Sequence, residues 1–96
     1  MILIIQDNDV NQNYKALDKV ILFKSICDLK TYKTGYYTIL LINVEIDNEG
    51  IVIGHNFMFE ELLTHLNVFA IITNRASNKL REICKYYNLA LLELKY

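Results

Sequence analysis

The sequence predicts an α/β protein built on an open parallel five-stranded sheet with helices on its faces. Five short apolar runs recur along the 96 residues, and helical or turn signals separate them. Continuous apolar runs are typical of strands that are buried on both faces. Strands that alternate with helices form βαβ units, which produce a parallel sheet with right-handed crossovers. We therefore expect a single domain over residues 1–96.

The individual elements follow from local patterns. Residues 10–18 favour a short helix, and residues 26–34 favour a poor helix or irregular connection that ends at Gly35. The stretch Asp47-Asn-Glu-Gly50 has the residue types of a turn. The five predicted strands are residues 2–6, 20–23, 37–44, 68–73 and 89–94.

Two helices have clearer signals. Asn56 is predicted to cap a helix with one apolar face, and Ser77 is predicted to cap a second, which Asn88 would end. The predicted buried faces are Phe59, Leu62, Leu63 and Leu66 in the first helix and Leu80, Ile83, Cys84 and Tyr87 in the second.

Composition and charge exclude several classes of protein. The chain is 53% hydrophobic and 22% charged, with a formal net charge of −1, which argues against binding to nucleic acid or to an anionic membrane. No apolar run approaches the roughly 18 residues of a membrane span. No basic region precedes the apolar start, so we expect no signal peptide. Cys27 and Cys84 are too far apart for a paired redox or zinc motif, and we expect a cytoplasmic protein with reduced thiols.

Polar residues stand at the ends of four predicted strands. Asp7 and Asn43 follow the first and third strands, Thr73 ends the fourth and Lys95 follows the fifth. In open parallel sheets, ligands bind outside the carboxyl ends of the strands. We therefore expect these four residues to share one site, although the Thr73 hydroxyl could equally hydrogen-bond its own turn.

These positions resemble the phospho-acceptor constellation of the response-regulator receiver domain. The opening Ile2-Leu-Ile-Ile-Gln-Asp7 is similar to the receiver strand that ends in a pair of acids. The stretch from Leu40 to Gly50 is similar to the strand and loop that carry the phosphorylated aspartate. The intervals from Asn43 to Thr73 and from Thr73 to Lys95 are in keeping with the family. The resemblance implies the sheet order 2-1-3-4-5.

The sequence departs from the receiver pattern where phosphoryl transfer would occur. Counting back from Gly50 places Ile42 at the acceptor position, and a shift of one residue places Asn43 there. Neither is a carboxylate, so neither can form an acyl phosphate. Asp7 with Asp9 is expected to be a solvated acidic loop rather than a magnesium site. The resemblance thus implies a pseudo-receiver that is not an enzyme and needs no cofactor or metal.

A protein partner is the expected binding target. Relative to a receiver, the sequence stops before the last helix, which would leave apolar residues on the fifth strand and the preceding helix exposed. Exposed apolar patches and unpaired strand edges recruit partners. We expect a homodimer, or a complex with another protein, whose interface candidates are Leu89, Leu91, Leu92, Tyr86 and Tyr87.

Two other families remain as alternatives. The segment Asp47-Asn-Glu-Gly50 after a strand also resembles the STAS type of regulatory domain, without a phosphorylatable serine. The stretch from Tyr37 onward resembles the NifX/NifB-type domain, which would bind a small molecule or a metal cofactor. That alternative makes residues 51–54 a strand paired with residues 37–46, whereas a helical start would favour the receiver.

Overall fold

The computed structural model of the chain describes residues 1–6, 20–23 and 35–95. The helices predicted within residues 10–18 and 26–34 lie outside the described residues. In chain order the described elements are β1 (Ile2–Gln6), β2 (Val20–Leu22), β3 (Tyr36–Ile42), β4 (Ile51–Val52), β5 (Phe57–Met58), α1 (Phe59–His65), β6 (Asn67–Thr73), α2 (Asn78–Tyr86) and β7 (Ala90–Glu93).

Five of the strands form one parallel sheet, which confirms the predicted architecture. Their order is β2-β1-β3-β6-β7, and every neighbouring pair is parallel. The chain goes from β1 to one side of the sheet to form β2, and then returns to the other side of β1 to form β3. The ends of β1 and β3 therefore flank a topological switch point, where open α/β sheets place their ligands.

Both described helices contribute to a core on one face of the sheet. The crossovers from β3 to β6 and from β6 to β7 advance in the same direction, so right-handed connections put both helices on the same side. The buried cluster includes Leu3, Ile5, Ile39, Leu41 and Ile71 from the sheet and Phe59, Leu62, Leu80, Ile83 and Cys84 from α1 and α2.

The opposite face of the sheet is apolar and becomes more exposed towards β7. Ile4, Leu40, Ile72 and Leu92 lie side by side across four strands, and we call this set the outer row. Ile4 is 2% exposed, Leu40 and Ile72 are half-buried, and Leu92 is 55% exposed. Apolar surface at the β7 end of the outer row is therefore open to contact.

A small antiparallel hairpin follows the turn at Asp47–Gly50. The Asp47 carboxylate accepts hydrogen bonds from the backbone N–H groups of Glu49 (2.9 Å) and Ile51 (3.0 Å). Strands β4 and β5 pair with each other, and Ile46 forms a single antiparallel bridge to Val52. Residues 51–52 are thus strand and residues 53–56 are turn, and the chain enters a helix only at Phe59.

This hairpin departs from the receiver pattern and agrees only in part with the NifX/NifB alternative. The receiver resemblance implies a helix soon after Gly50, which the structure does not have. The NifX/NifB alternative implies that residues 51–54 form a strand hairpinned to residues 37–46. The structure has this pairing at one end only, where Ile46 bridges Val52 in antiparallel fashion. Along β3 itself, β1 and β6 occupy the two edges with parallel pairing.

The predicted caps have different outcomes. Asn56 does not cap α1, because it adopts φ 56° in the hairpin turn and Met58 occupies the cap position without a side-chain bond. Asparagine tolerates this left-handed backbone, so the same residue type suits a turn as well as a cap. Ser77 does cap α2, since its hydroxyl accepts from the Leu80 N–H at 3.2 Å. Asn88, with φ 56°, ends that helix as predicted.

Candidate functional site

The carboxyl ends of β3 and β6 are joined by two asparagine side chains. The Asn74 side-chain oxygen accepts from the backbone N–H of Asn43 at 2.9 Å, and the Asn74 amide nitrogen donates to the Asn43 side-chain oxygen at 2.8 Å. Asn43 has φ 55°. We call this arrangement the asparagine pair. The bond from Asn74 therefore occupies the side chain of Asn43, which is the residue that the receiver alignment with a shift of one position places at the acceptor.

Thr73 has a structural role at the end of β6. Its side chain is fully buried, and its hydroxyl accepts from the backbone N–H of Arg75 at 3.0 Å. Its carbonyl oxygen accepts from the Leu94 N–H at 2.7 Å. The hydroxyl therefore completes its own turn, which is the structural alternative that the sequence left open.

The remaining predicted site residues do not assemble into an acceptor site in the described part of the chain. Ile42 is half-buried and pairs with Gln6 across the sheet. Lys95 is exposed beyond the end of β7. Asp7 lies outside the described residues. Of the predicted site residues, the structure brings Asn43 and Thr73 close together, through the bond from Asn43 to Asn74 in the turn that follows Thr73.

Gln6 is a buried polar side chain at the switch point that sequence reasoning missed. It is 5% exposed, and within the described residues neither its amide nitrogen nor its amide oxygen has a hydrogen-bond partner. Leaving such groups unsatisfied costs roughly 1–3 kcal/mol. Buried amides without partners are uncommon and often mark a position where a ligand or water completes the network.

His55 ties the hairpin to the end of β1. Its Nε2 donates to the backbone carbonyl of Gln6 at 3.0 Å, which assigns the proton to Nε2. Its ring packs edge-on against Phe23, with centroids 5.9 Å apart, and against Phe57 at 6.4 Å. The contact joins residues 49 positions apart, so no local sequence signal could have revealed it.

Asn43 and His55 border a crevice of about 270 Å³ beside the switch point. We call it the switch-point crevice. Arg75 offers hydrogen-bond donors and Glu45 offers a carboxylate, so the crevice has the groups to hold a small polar molecule. Its lining consists of Asn43, Val44, Glu45, Ile53, Gly54, His55 and Arg75.

The interface candidates divide into two groups. Leu89 and Leu91 are half-buried and pack against the core cluster. Leu92 and Tyr86 are exposed, and Tyr87 is partly exposed while its hydroxyl donates to Glu60 at 2.8 Å. Leu92 and Tyr86 are therefore the candidates that a partner could reach without disturbing the core.

Other chemistry in the described ranges is limited. No group of three or more histidine, cysteine or acidic side chains lies together there. None of the helices found in that part of the chain has the length and hydrophobicity to cross a membrane. Cys84 is 3% exposed, and burial raises the pKa of its thiol to about 11, so the reactive thiolate is disfavoured.

Comparisons with protein-family models, with curated proteins and with solved structures found no match to this chain.

Proposed function

We propose that this protein is a receiver-like interaction module that is not phosphorylated and that pairs with a second copy of itself through β7. The observation that carries the proposal is the exposure of Leu92, whose side chain is 55% exposed at the β7 end of the apolar outer row. Exposed apolar surface next to a strand edge favours association.

At the strand ends that the structure describes, no side chain offers the acceptor chemistry of a receiver. Ile42 has no nucleophilic atom, and the Asn43 side chain is held by Asn74. The Thr73 hydroxyl is fully buried and bonded to the Arg75 N–H, so it does not point at an incoming phosphoryl group. An asparagine amide cannot replace the carboxylate that forms an acyl phosphate.

The edge of β7 favours a second copy as the partner. Within the described residues, β7 pairs with β6 alone. Arg81 holds β7 against α2 through hydrogen bonds to both carboxylate oxygens of Glu93, at 2.8 and 3.4 Å. This contact restrains β7 relative to α2, which reduces the conformational entropy that β7 would lose on pairing with a second strand.

Charge complementarity also supports a two-fold contact. If the end of β7 and the two residues that follow it run antiparallel in two copies about an axis at Leu94, Glu93 of one copy lies opposite Lys95 of the other, because both are one residue from the axis. The same axis brings the two exposed Leu94 side chains together. Opposite charges at the flanks and apolar side chains at the centre stabilise such a pairing.

The test is sedimentation of the full chain at micromolar concentration. We expect a dimer for the wild-type chain and a monomer for Leu92→Glu, and Lys95→Glu should weaken the dimer because it places like charges opposite each other. Ile53→Glu is the matched control, since Ile53 is equally exposed but lies in the hairpin. A wild-type monomer, or a Leu92→Glu dimer as stable as the wild type, would contradict the proposal.

The absence of phosphorylation is tested separately. Incubation with acetyl phosphate and Mg²⁺ should produce no mass increase of one phosphoryl group, and beryllofluoride should not bind. A stoichiometric mass increase that disappears in Asp7→Ala would show that an acceptor site is active.

A second candidate function is the binding of a small polar molecule in the switch-point crevice. The lining of the crevice favours it, because the Arg75 guanidinium and the Glu45 carboxylate can both bond to a small polar molecule. A screen of small carboxylates and amides by thermal shift tests this candidate. Stabilisation that Arg75→Ala abolishes would support it, and the absence of stabilisation across the screen would count against it.

A further inference from the structure

A second crevice lies between α1 and α2, on a part of the surface that the proposed dimer contact does not use. Two tyrosine rings and two carboxylates border it, together with one lysine and an apolar floor. Its volume is about 300 Å³, and we call it the tyrosine crevice. Its lining consists of Glu60, Lys79, Glu82, Ile83, Tyr86 and Tyr87.

The two tyrosine rings form a corner. Their centroids are 4.9 Å apart and their planes are inclined by 75°. Tyr86 is 79% exposed, so most of its ring is open to solvent. The two rings pack edge to face, so the edge of one lies against the face of the other. The open part of the Tyr86 ring is an electron-rich surface that can attract an organic cation.

Carboxylates stand beside this corner. Tyr87 donates its hydroxyl to Glu60 at 2.8 Å, which fixes the ring and holds a negative charge next to it. Glu82 precedes Tyr86 by four residues in α2, so both side chains project from the same face of the helix. Ile83, which is buried, supplies an apolar floor that suits methyl groups.

We propose that the tyrosine crevice binds a methylated ammonium group. A quaternary ammonium spreads its charge over methyl groups, so it loses little hydration when it contacts aromatic rings and an apolar floor. The two carboxylates supply the opposite charge. Lys79 is the one feature that opposes such a ligand, and its side chain is half-buried with its terminal carbon directed near Gly50.

The experiment is an NMR titration of the full chain with choline, observed at the ring resonances of Tyr86 and Tyr87. The matched ligand control is 3,3-dimethylbutan-1-ol, which has the same shape without the charge. We expect choline to shift both rings in a saturable manner and the neutral analogue to shift them little. Equal binding of the two compounds, or no binding of choline, overturns the proposal.

Variants distinguish the aromatic and charge contributions. Tyr86→Leu should weaken choline binding about two- to fivefold, which corresponds to the roughly 0.5–1 kcal/mol of an exposed cation–π contact. Tyr86→Phe should retain binding because the ring remains. Lys79→Met should tighten binding by removing the opposing charge. Phe69→Leu is the control, since Phe69 is 67% exposed on β6 and does not line the tyrosine crevice. Unchanged binding in Tyr86→Leu and Lys79→Met overturns the assignment.

Discussion

Asn74 holds Asn43 by two hydrogen bonds of 2.9 and 2.8 Å, one to its backbone N–H and one to its side-chain oxygen. The two residues are 31 positions apart and join the carboxyl ends of adjacent strands. This contact ties the carboxyl end of β3 to the turn that follows β6.

The asparagine pair predicts different effects for two aspartate substitutions. Asn43→Asp keeps the oxygen that accepts from Asn74 and tolerates the same left-handed backbone, so unfolding free energy should change by less than about 0.5 kcal/mol. Asn74→Asp removes the donor and places a carboxylate against the Asn43 oxygen, which should cost about 1–2 kcal/mol. Urea unfolding of both variants measures the difference. Equal losses in the two would show that the pair does not form in solution.

A substitution at Gln6 tests whether its buried side-chain amide lacks hydrogen-bond partners. Gln6→Met keeps a similar volume but removes two buried polar atoms, so it should raise the unfolding free energy by about 1–2 kcal/mol if the amide is unsatisfied. Gln6→Glu is the opposite control, because a buried charge without a partner should destabilise the chain. A Gln6→Met variant that is less stable than the wild type would show that the amide has a partner in the folded chain.

The strands and α2 could be predicted because their signals are local. Apolar runs define β1, β3 and β6, while Ser77 and Asn88 mark the ends of α2. The second strand of the hairpin, Phe57–Met58, could not be predicted in the same way, because Asn56 suits a helix cap as well as a turn. Tertiary contacts decided between the two, since Phe57 is buried beside the rings of Phe23 and His55.

The candidate site was less predictable than the fold. The sequence places Asn43 and Thr73 at strand ends, but it does not show which way each side chain turns. Thr73 lies on the core face of the sheet opposite Leu41, and its hydroxyl is used within its own turn. The role of Asn74 depends on a contact with a distant strand, and the burial of Gln6 depends on how the sheet is covered. Neither property has a local sequence signal.

Cys84 should make stability depend on alkaline pH. Burial raises its pKa from about 9 in an exposed thiol to about 11, so the folded state favours the protonated form. The stabilisation is complete below pH 9 and is lost as the pH rises through about 11, with a magnitude on the order of 1–2 kcal/mol. The measurement is the difference in unfolding free energy between wild type and Cys84→Ala across this range, which cancels the titration of other groups.

An independent check uses thiol chemistry. In a Cys27→Ser background, Cys84 should resist iodoacetamide in the folded chain near pH 8 and react readily in urea, because the buried thiol forms little thiolate. Rapid alkylation of the folded chain would contradict the burial.

Asn88 is predicted to be the residue that limits the stability of the end of α2. Its φ of 56° lies in the left-handed region, and the bonds from the Leu89 N–H to the Cys84 carbonyl (2.8 Å) and from the Asn88 N–H to the Lys85 carbonyl (3.4 Å) close the helix there. Asn88→Ala should cost about 1 kcal/mol because a Cβ-bearing residue without asparagine's local hydrogen bonding is strained at this backbone angle. Asn88→Gly should be neutral or slightly stabilising, since glycine adopts this angle without strain.

Asn48→Ala is the matched control, because Asn48 lies in an exposed turn without a positive φ, and its change should stay within about 0.5 kcal/mol. If alanine and glycine at position 88 gave the same unfolding free energy, the left-handed end of α2 would not be the feature that Asn88 stabilises.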